Sequence, residues 1–529
     1  MFLAALWLAT LSLRPLFNTD EGRYAEIPRE MLSGGDWVIP HLNGLAYIEK
    51  PPLQYWATAL SLAVVGQNEL GARLYTALCA LTAILVIGFA AKRLWGEEQA
   101  WRSAAMLSSM LLFLAMGQLL TLDMSLTFYM TATLAGFLLA QAAAARQALG
   151  WMLVCWIATA LGVLTKGLVA AAIPVAVLVL YSLFSRDFAP WRRLYPAAGL
   201  PLFLAITAPW FTLAARRLPD FLQFFFIREH FARYLTPIAD REAPWWFFGA
   251  VFLVGSAPWT LPALRSVMTG WRRPRGGAPF DAALFLRLWI VFICVFFSLS
   301  SSKLIPYILP ALPALALLMG TLPADVLKRD LRRTALVTLG AAAVLGAVCL
   351  YAPGHIAPSA RSPYFLSLAA PLAQIALLLA ASGLYVLSQR NRDITRTAVF
   401  LGIGWALSGL LLVRAAAAVA PVYSGIVLAR ALPAAARNGP IYSVGTYDQT
   451  LPFYWRRTLE LVAYRGELDY GLGRNPGMEM PMDAFLERWT ALTDACAVMD
   501  TKTFDELKGR AVPMRELARD ANRVLVARQ

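Results

Sequence analysis

The stretch LYTALCALTAILVIGFAA, residues 74–91, has eighteen consecutive positions without a charged side chain. An α-helix needs about 20 apolar residues to cross the hydrocarbon core of a bilayer, so this stretch predicts a membrane-spanning helix. Similar stretches recur along the whole chain, and we predict about thirteen spans. They lie near residues 1–16, 74–91, 103–117, 122–145, 151–165, 168–184, 196–215, 244–264, 288–302, 304–322, 334–351, 364–386 and 397–418.

The composition agrees with a chain that lies mostly in lipid. Of its 529 residues, 59% are hydrophobic and 15% carry charge, and the mean hydropathy is +0.58. A typical soluble domain carries about 25% charged residues. The fold class we predict is therefore an α-helical polytopic membrane protein. The five cysteines are scattered, which indicates neither a disulfide framework nor a Cys-x-x-Cys metal site.

Basic residues are unevenly distributed among the connections between the predicted spans. The net charge is +15, and Lys and Arg cluster on alternate connections, at residues 92–102, 146, 186–193, 265–287, 328–333 and 390–396. The positive-inside rule assigns these connections to the cytoplasm, so the excess charge reflects topology more than nucleic-acid binding. Residues 14–73, 216–243, the loop at Lys303 and residues 420–529 are then extracytoplasmic. The opening stretch lacks the features of a cleaved signal peptide, so we predict an uncleaved first span.

This topology divides the chain into a transmembrane domain, residues 1–419, and a small outer domain, residues 420–529. In the first outer loop, residues 14–73, the segments TDEGRYAEIPREML and PPLQYWATALSLAVVG predict short helices near the membrane interface. The outer domain alternates strand-like segments with the helix-like MDAFLERWTAL and TKTFDELKG, which predicts a compact α/β fold. The strand-like segments are PIYSV, LELVAY, CAVM and RVLVAR.

Two carboxylates on the outer side are conspicuous because of their positions. Asp20 follows the first span in FNTDEGRY, and Asp123 lies between apolar residues at the outer end of the fourth span. An ionisable group at membrane depth is costly and therefore indicates a functional site. The alternative for both carboxylates is a helix cap that stabilises free backbone amides. Arg29 and Glu30, further along the first loop, fit a solvated helical face.

A lysine in the first outer loop precedes a rigid double proline. The segment is YIEKPPLQYW, in which Tyr47 and Glu49 lie close to Lys50. The prolines fix an extended backbone, so Lys50 is well placed to hold a phosphate at the membrane surface. The alternative is a lysine that extends to lipid headgroups or pairs with Glu49.

Two later outer segments add further cationic and phenolic groups. Arg233 and His230 alternate with aromatic residues in FFFIREHFARYL, which also suits an interfacial aromatic belt. Lys303 and Tyr307 are four residues apart in SSSKLIPYILPALP, which predicts that they share one helical face between prolines. Together with the two carboxylates, these groups suit a lipid-phosphate substrate whose chain enters an amphipathic cavity between helices.

The residues of the first outer loop resemble those of a known family. DEGRYAEIPREM, GDWVIPHLNG and YIEKPPLQYW, within residues 20–56, are similar to segments of GT-C glycosyltransferases related to protein O-mannosyltransferases. They are most similar to those of the bacterial 4-amino-4-deoxy-L-arabinose lipid A transferases. The resemblance implies a GT-C fold with about thirteen transmembrane helices and a small periplasmic α/β domain.

The resemblance also implies an activity and residue roles. It implies transfer of the aminosugar from undecaprenyl phosphate to lipid A phosphate at the periplasmic face of the bacterial inner membrane, with polymyxin resistance as the consequence. Asp20 and Asp123 would be the catalytic acids and Lys50 a ligand of the lipid phosphate. Weaker motif similarity extends substrate binding to Arg233 and Tyr307. Lys303, Glu49 and Tyr47, which lie in the same outer segments, complete the predicted substrate-binding set.

Several alternatives remain open at this stage. The transferred sugar could be another polyprenyl-phosphate sugar, delivered to protein or lipid, and a flippase for lipid-linked sugars also needs a chain-sized cavity with phosphate-binding cations. A flippase needs access to both leaflets, whereas the selected charges lie on one side. No cofactor is firmly implied, although Glu49 and His230 could contribute to a divalent metal site. We expect a monomer that binds no nucleic acid.

Overall fold

The computed structural model describes residues 2–236, 241–271, 280–356, 359, 361–389, 393–434, 436, 439–492 and 494–528. Residues up to 434 are almost entirely helical, because a chain in lipid must satisfy its backbone hydrogen bonds within each segment. The helices of the first outer loop and the first half of the bundle are α1 Phe2–Ala9, α2 Asp20–Gly34, α3 Leu53–Val65, α4 Glu69–Trp95, α5 Glu97–Ser109, α6 Leu111–Met116, α7 Leu122–Ala142, α8 Ala145–Lys166, α9 Val169–Ser185, α10 Ala189–Arg192 and α11 Pro196–Arg217.

The second half of the bundle continues with shorter and longer helices. A π-helix at Gln223–Ala232 and a 3₁₀ helix at Ile305–Ile308 lie among them. The α-helices of this half are α12 Arg233–Leu235, α13 Phe247–Gly255, α14 Thr260–Met268, α15 Ala282–Leu299, α16 Ala311–Gly320, α17 Ala324–Tyr351, α18 Ser362–Leu366, α19 Ala369–Ser388, α20 Ile394–Ala415, α21 Ala420–Tyr423 and α22 Ile426–Ala431.

Each predicted span contains a helix, but several spans are interrupted. In the described part of the chain, eight helices are long and apolar enough to cross a membrane, and three shorter apolar helices accompany them. The predicted span at 244–264 is divided between α13 and α14, and the one at 304–322 between the 3₁₀ helix and α16. Pro258 and Pro310 lie at these two interruptions. Because proline lacks a backbone N–H, it cannot donate the hydrogen bond that would continue the helix.

The C-terminal domain is a six-stranded sheet covered by helices. Its strands are β3 Ile441–Val444, β4 Glu460–Val462, β5 Glu479–Met480, β6 Cys496–Asp500, β7 Met514–Arg519 and β8 Arg523–Arg528, and its helices are α23 Thr450–Trp455, α24 Asp469–Arg474, α25 Met482–Ala491 and α26 Thr501–Gly509. The strand order is β5-β4-β3-β6-β8-β7. The first four strands of this order are parallel, and β8 runs antiparallel to both β6 and β7. All four predicted strands and both predicted helices are present.

The first outer loop packs between the bundle and the C-terminal domain. A short hairpin, β1 His41–Leu42 and β2 Leu45–Ala46, follows α2. The Asn43 amide in this hairpin donates to the carbonyl oxygen of Leu459 at 2.9 Å and accepts from its N–H at 2.7 Å. On the other side of α2, Gly22 lies against the backbone of Gln449. The loop is therefore held by elements more than 400 residues away in the chain.

Candidate active site

An ion-pair network fixes the start of α2, where Asp20 is located. Glu21 is buried and accepts hydrogen bonds from Arg14 and Arg73 at 2.5–2.9 Å, and from the backbone N–H groups of Phe17 and Leu120. Burial alone would raise the pKa of Glu21, but the two guanidinium charges outweigh it and hold the pKa well below its usual range. The N-terminal turn of α2 is thereby attached to the ends of α4 and α7.

The middle of α2 is buried as well, which corrects the prediction of a solvated face for Arg29 and Glu30. Arg29 is 5% and Glu30 9% exposed. Arg29 donates two hydrogen bonds to Glu26, while the Glu30 carboxylate accepts from the backbone N–H groups of Asn43 and Gly44. The helical spacing of these charges is compatible with a surface helix, but the C-terminal domain and the hairpin cover both faces. Burial raises the pKa of Glu26 above its usual range.

Asp20 shares a guanidinium with a residue of the C-terminal domain. The Arg23 guanidinium lies 3.6 Å from the Asp20 carboxylate and 2.8 Å from that of Glu467, and it donates to the Tyr47 hydroxyl at 3.0 Å. The Asp20 side chain is 49% exposed, whereas Arg23 is almost fully buried. Asp20 makes no side-chain cap of α2, whose N-cap residue is Thr19. The carboxylate is thus oriented by Arg23 and open to a substrate.

Several acidic groups lie around Arg23. Burial raises the pKa of Glu467, and the nearby carboxylates of Glu49 and Asp20 raise it further, although Arg23 opposes them. Burial likewise raises the pKa of the Tyr47 hydroxyl. Asp20 and Glu467 share the guanidinium of Arg23, and the Asp20 carboxylate is half exposed, so this part of the site is suited to bind a further positively charged group.

Lys50 lies beside this acidic group and has its own carboxylate partner. Its ammonium is 3.2 Å from Glu229, in the π-helix, and donates to the backbone carbonyl of Glu49 at 2.9 Å. Both side chains of the ion pair are largely buried. The pair joins the first outer loop to the predicted FFFIREHFARYL segment, so Lys50 is held near the membrane interface with a compensated charge.

Asp123 and Tyr307 meet at a lysine that the sequence analysis did not select. Asp123 is in the first turn of α7 and forms an ion pair with Lys166, the last residue of α8. The Lys166 ammonium lies 4.9 Å from the centre of the Tyr307 ring. Cation–π attraction to the ring adds to the ion pair. The Asp123 carboxylate therefore faces a cation, in contrast to the alternative of a helix cap.

A buried amide joins the segment of Lys50 to the segment of Asp123. Gln54 is fully buried on α3, four residues after Lys50, and its side-chain oxygen accepts a 2.5 Å hydrogen bond from Ser125, two residues after Asp123. Its nitrogen donates to Thr58 at 3.1 Å. The hydrogen bond places the starts of α3 and α7 side by side, and with them the two groups of charges.

Lys303 does not share a face with Tyr307, which corrects the helical interpretation of that segment. The residues before Ile305 form a loop, and Ile305–Ile308, with Pro306 as its second residue, is a 3₁₀ helix and does not continue an α-helix. The Lys303 ammonium donates to the carbonyl oxygen of Ser300 at 2.7 Å. Lys303 thus stabilises its own loop in this structure.

Two predicted residues cannot be placed, and a metal site lacks a full ligand set in what the structure shows. The side chains of Arg233 and His230 lie outside the described residues. Among the side chains that are described, no three His, Cys, Asp or Glu residues come together as metal ligands. A divalent metal held by Glu49 and His230 therefore stays a prediction.

Three residues of the candidate site, Lys166, Glu467 and Glu229, were not selected from the sequence. Lys166 is a basic residue between two apolar runs, in VLTKGLVAA, on the outer side where positive charge is rare. An isolated lysine at such a position could have been selected from the sequence. Glu467 and Glu229 gave no such signal, because each acquires its role from a partner far away in the chain.

Comparison with known proteins identifies the class to which this arrangement belongs. A family model described as dolichyl-phosphate-mannose-protein mannosyltransferase matches residues 2–225, and one described as aminoarabinose transferase C-terminal domain matches residues 428–528. The helical bundle, the charged groups at one end of it and the α/β domain packed over them define a membrane glycosyltransferase of the GT-C class.

Relatives and a solved structure narrow this class to one family. The undecaprenyl phosphate-alpha-4-amino-4-deoxy-L-arabinose arabinosyl transferase of Pseudomonas aeruginosa UCBPP-PA14 is 34% identical over 414 residues, which are 77% of this chain and 73% of that protein. That of Aeromonas hydrophila is 33% identical over 364 residues, which are 67% of this chain and 66% of the relative. The crystal structure of ArnT from Cupriavidus metallidurans bound to undecaprenyl phosphate superposes with a TM-score of 0.90, at 33% identity, over 99% of this chain and 96% of that one. The chain belongs to this family of aminoarabinose transferases.

Proposed function

We propose that the protein transfers 4-amino-4-deoxy-L-arabinose from undecaprenyl phosphate to a phosphate of lipid A. The observation that carries this proposal is the similarity, over nearly the whole chain, to a structure that binds undecaprenyl phosphate. The local geometry agrees with it, because ammonium groups suited to a lipid phosphate lie beside an acidic group suited to an aminosugar. Modification of lipid A with this cationic sugar would lower its negative charge and give resistance to polymyxin.

The reaction is a displacement at the anomeric carbon of the sugar. An oxygen of the acceptor phosphate forms a bond to that carbon while the bond to the undecaprenyl phosphate oxygen breaks, so negative charge grows on the departing phosphate. Lys50, Lys166 and the Tyr307 hydroxyl are the proposed groups that stabilise this charge. Arg233, whose role rests on the resemblance to the family, is the fourth group of this proposed set.

The carboxylates have a different proposed task. The acceptor phosphate is already ionised near neutral pH and needs no general base. We assign to Asp20 the orientation of the donor through its protonated amine, with Glu467, Glu49 and Tyr47 around the same region. Asp123 positions Lys166 through their ion pair. The Asp20→Asn variant is therefore expected to lose transfer activity, because an amide cannot compensate the charge of the amine.

The proposed setting of the reaction follows from the charge distribution of the loops. The positive-inside rule places the charged groups on the periplasmic face of the bacterial inner membrane, where the protein would act as a monomer. A requirement for a divalent ion would be detected as loss of transfer after exhaustive chelation and recovery after readdition of the ion.

The test uses the purified full-length protein in lipid nanodiscs. It is incubated with synthetic undecaprenyl phosphate-aminoarabinose and lipid A, and the lipid products are identified by mass spectrometry. Aminosugar-modified lipid A is the expected product. Consumption of a different polyprenyl-phosphate sugar in place of this donor would reassign the substrate, and movement of the donor between leaflets without any product would indicate a flippase.

A further inference from the structure

A crevice lies between α17, α19 and α20, at the end of the bundle opposite to the candidate active site, with a volume of about 220 Å³. α20 runs from this end toward the C-terminal domain, whereas α7 begins at the other end with Asp123 in its first turn. The positive-inside rule assigns the crevice to the cytoplasmic boundary of the membrane. It therefore has no part in the proposed transfer reaction.

Two cations of α17 line this crevice. Lys328 and Arg332 are one helical turn apart, so they lie on the same face of the helix. Asp325, three residues before Lys328 on α17, pairs with Arg329 at 2.8 Å. Lys328 and Arg332 have no carboxylate within ion-pair distance in the part of the chain that the structure describes.

The other acids around the crevice also have partners. Asp330 accepts two hydrogen bonds from Arg265, at 2.7 and 2.9 Å. Asp393, at the start of α20, accepts from backbone N–H groups of that helix and lies 3.7 Å from Arg396. The crevice thus presents uncompensated positive charge, which is complementary to an anion.

The remaining lining describes what kind of anion fits. The Gln389 side-chain oxygen is buried and has no hydrogen-bond partner among the described residues, so it can accept from a hydroxyl group. Leu336 and Leu387 continue the crevice with apolar surface toward the membrane. Cations, a free acceptor and an apolar wall together match a phosphodiester with a hydroxylated headgroup and hydrocarbon chains.

We propose that this crevice binds one anionic glycerophospholipid of the cytoplasmic leaflet, with phosphatidylglycerol as the matching chemistry. The phosphodiester lies against Lys328 and Arg332, a headgroup hydroxyl donates to the Gln389 oxygen, and an acyl chain packs along Leu336 and Leu387. The lipid would stabilise the α17–α19–α20 unit at the end of the bundle remote from the reaction.

Native mass spectrometry of the purified full-length protein tests this proposal. The protein is titrated with dioleoyl-phosphatidylglycerol and, separately, with dioleoyl-phosphatidylcholine. We expect a tightly retained phosphatidylglycerol, with binding at least roughly tenfold weaker in the Lys328→Gln/Arg332→Gln variant because two cations near a lipid phosphate are lost. The Arg146→Gln/Arg333→Gln variant removes the same charge at two exposed positions outside the crevice lining, and leaves the pair of Asp325 with Arg329 intact, so it should bind within about twofold of the parent protein.

Two further measurements separate the headgroup from its surroundings. Phosphatidylmethanol carries the same charge as phosphatidylglycerol but has no headgroup hydroxyl. It should bind the parent protein more weakly than phosphatidylglycerol does, whereas the two lipids should bind the Gln389→Leu variant equally well. Leu387→Trp places a larger side chain in the apolar part of the crevice without a change of charge, and it should weaken binding of both lipids. Equal retention of phosphatidylcholine, or equal losses in the two double variants, would overturn the proposal.

Discussion

Lys166 shows how a single side chain acquires its role from residues far away. It ends α8 between apolar helices, where an uncompensated ammonium group would be costly. The Asp123 carboxylate compensates the charge and the Tyr307 ring lies 4.9 Å from the ammonium. The three side chains come from three separate segments, so each depends on the others for its orientation.

Lys166→Met removes the charge and keeps the length of the side chain. We expect the transfer rate to fall by about 10²- to 10³-fold, as for the loss of a group that stabilises developing negative charge. Single-turnover formation of modified lipid A measures this rate. Lys92→Met, at an exposed ion pair on α4, is the matched control and should remain within about twofold of the parent protein. An unaltered rate in Lys166→Met would remove this lysine from the mechanism.

Glu21 gives the site a predictable dependence on pH. Its folded-state pKa is lowered below the ordinary value of 4.5, because the charges of Arg14 and Arg73 outweigh the effect of burial. As the pH falls below about 4.5, the unfolded state binds this proton first, so the stabilising contribution of the ionised group decreases. Above that value the contribution is fully present.

Thermal unfolding in detergent between pH 7 and pH 4 checks this dependence. We expect Glu21→Gln to be less stable at pH 7 by about 3–5 kcal/mol, because it leaves two buried guanidinium groups without their carboxylate. The midpoint temperature of unfolding of Glu21→Gln should also change less with falling pH than that of the parent protein. Glu97→Gln, an exposed residue, is the control. Parallel pH profiles for Glu21→Gln and the parent protein would contradict the assignment.

Individual side chains were predictable from the sequence to different degrees. Asp20 and Asp123 were selected because each is a carboxylate beside an apolar run, and Lys50 because it precedes a double proline; their roles in the reaction stay predictions. The burial of Arg29 and Glu30 could not be foreseen, since it is imposed by the hairpin at Asn43 and by the C-terminal domain, not by the helical spacing of the charges.

At the scale of elements, periodic segments were predicted well and irregular ones were not. The four predicted strands of the C-terminal domain are buried β3, β4, β6 and β8, whose apolar runs are distinctive. β7, with the sequence MRELAR, was missed because it is a charged edge strand that relies on β8 for pairing. The positions at which spans are interrupted depend on packing as well as on proline, so the sequence alone predicts these positions only approximately.

The contact between α2 and the C-terminal domain requires a glycine. A Cβ atom at Gly22 would lie 2.5 Å from the carbonyl carbon of Gln449, which is backbone and cannot move aside. We expect Gly22→Ala to lower the free energy of unfolding by about 1–3 kcal/mol and to make the C-terminal domain easier to cleave. Thermal unfolding and limited proteolysis measure these effects.

Gly34 provides the matched control for this prediction. It lies on the same helix, and a Cβ atom there would have no neighbour within 4 Å. Gly34→Ala should leave the stability unchanged or raise it by about 0.5–1 kcal/mol, because alanine restricts the unfolded chain. Equal destabilisation by both substitutions would show that the effect of Gly22→Ala comes from the helix and not from the domain contact.

For the whole molecule, the C-terminal domain contributes directly to the candidate active site. Glu467 reaches the Arg23 guanidinium at 2.8 Å and accepts a hydrogen bond from Gln449. The domain thus completes the charge environment of Asp20 in addition to covering the bundle.

Glu467→Gln tests whether this contribution reaches the substrate. We expect a KM for the aminosugar donor raised about tenfold or more, with a smaller change in kcat, because the acidic surroundings that favour a protonated amine are weakened. Steady-state kinetics with the purified protein provide both constants. Glu479→Gln, which removes an ion pair with Arg465 in the same domain, should leave both unchanged. A lower thermal midpoint without any kinetic change would limit Glu467 to a structural role.

The position of α2 has a consequence for biogenesis. Asn18, two residues before α2, hydrogen-bonds Asp448 and the Gln449 N–H, so this segment acquires these partners only after more than 400 further residues have been synthesised. Before the C-terminal domain packs against it, α2 lacks the backbone contact at Gly22 and the hydrogen bond from Arg29 to the Arg456 carbonyl. Contacts of such high sequence separation form slowly, so we expect docking of α2 to the C-terminal domain to be a late step of folding.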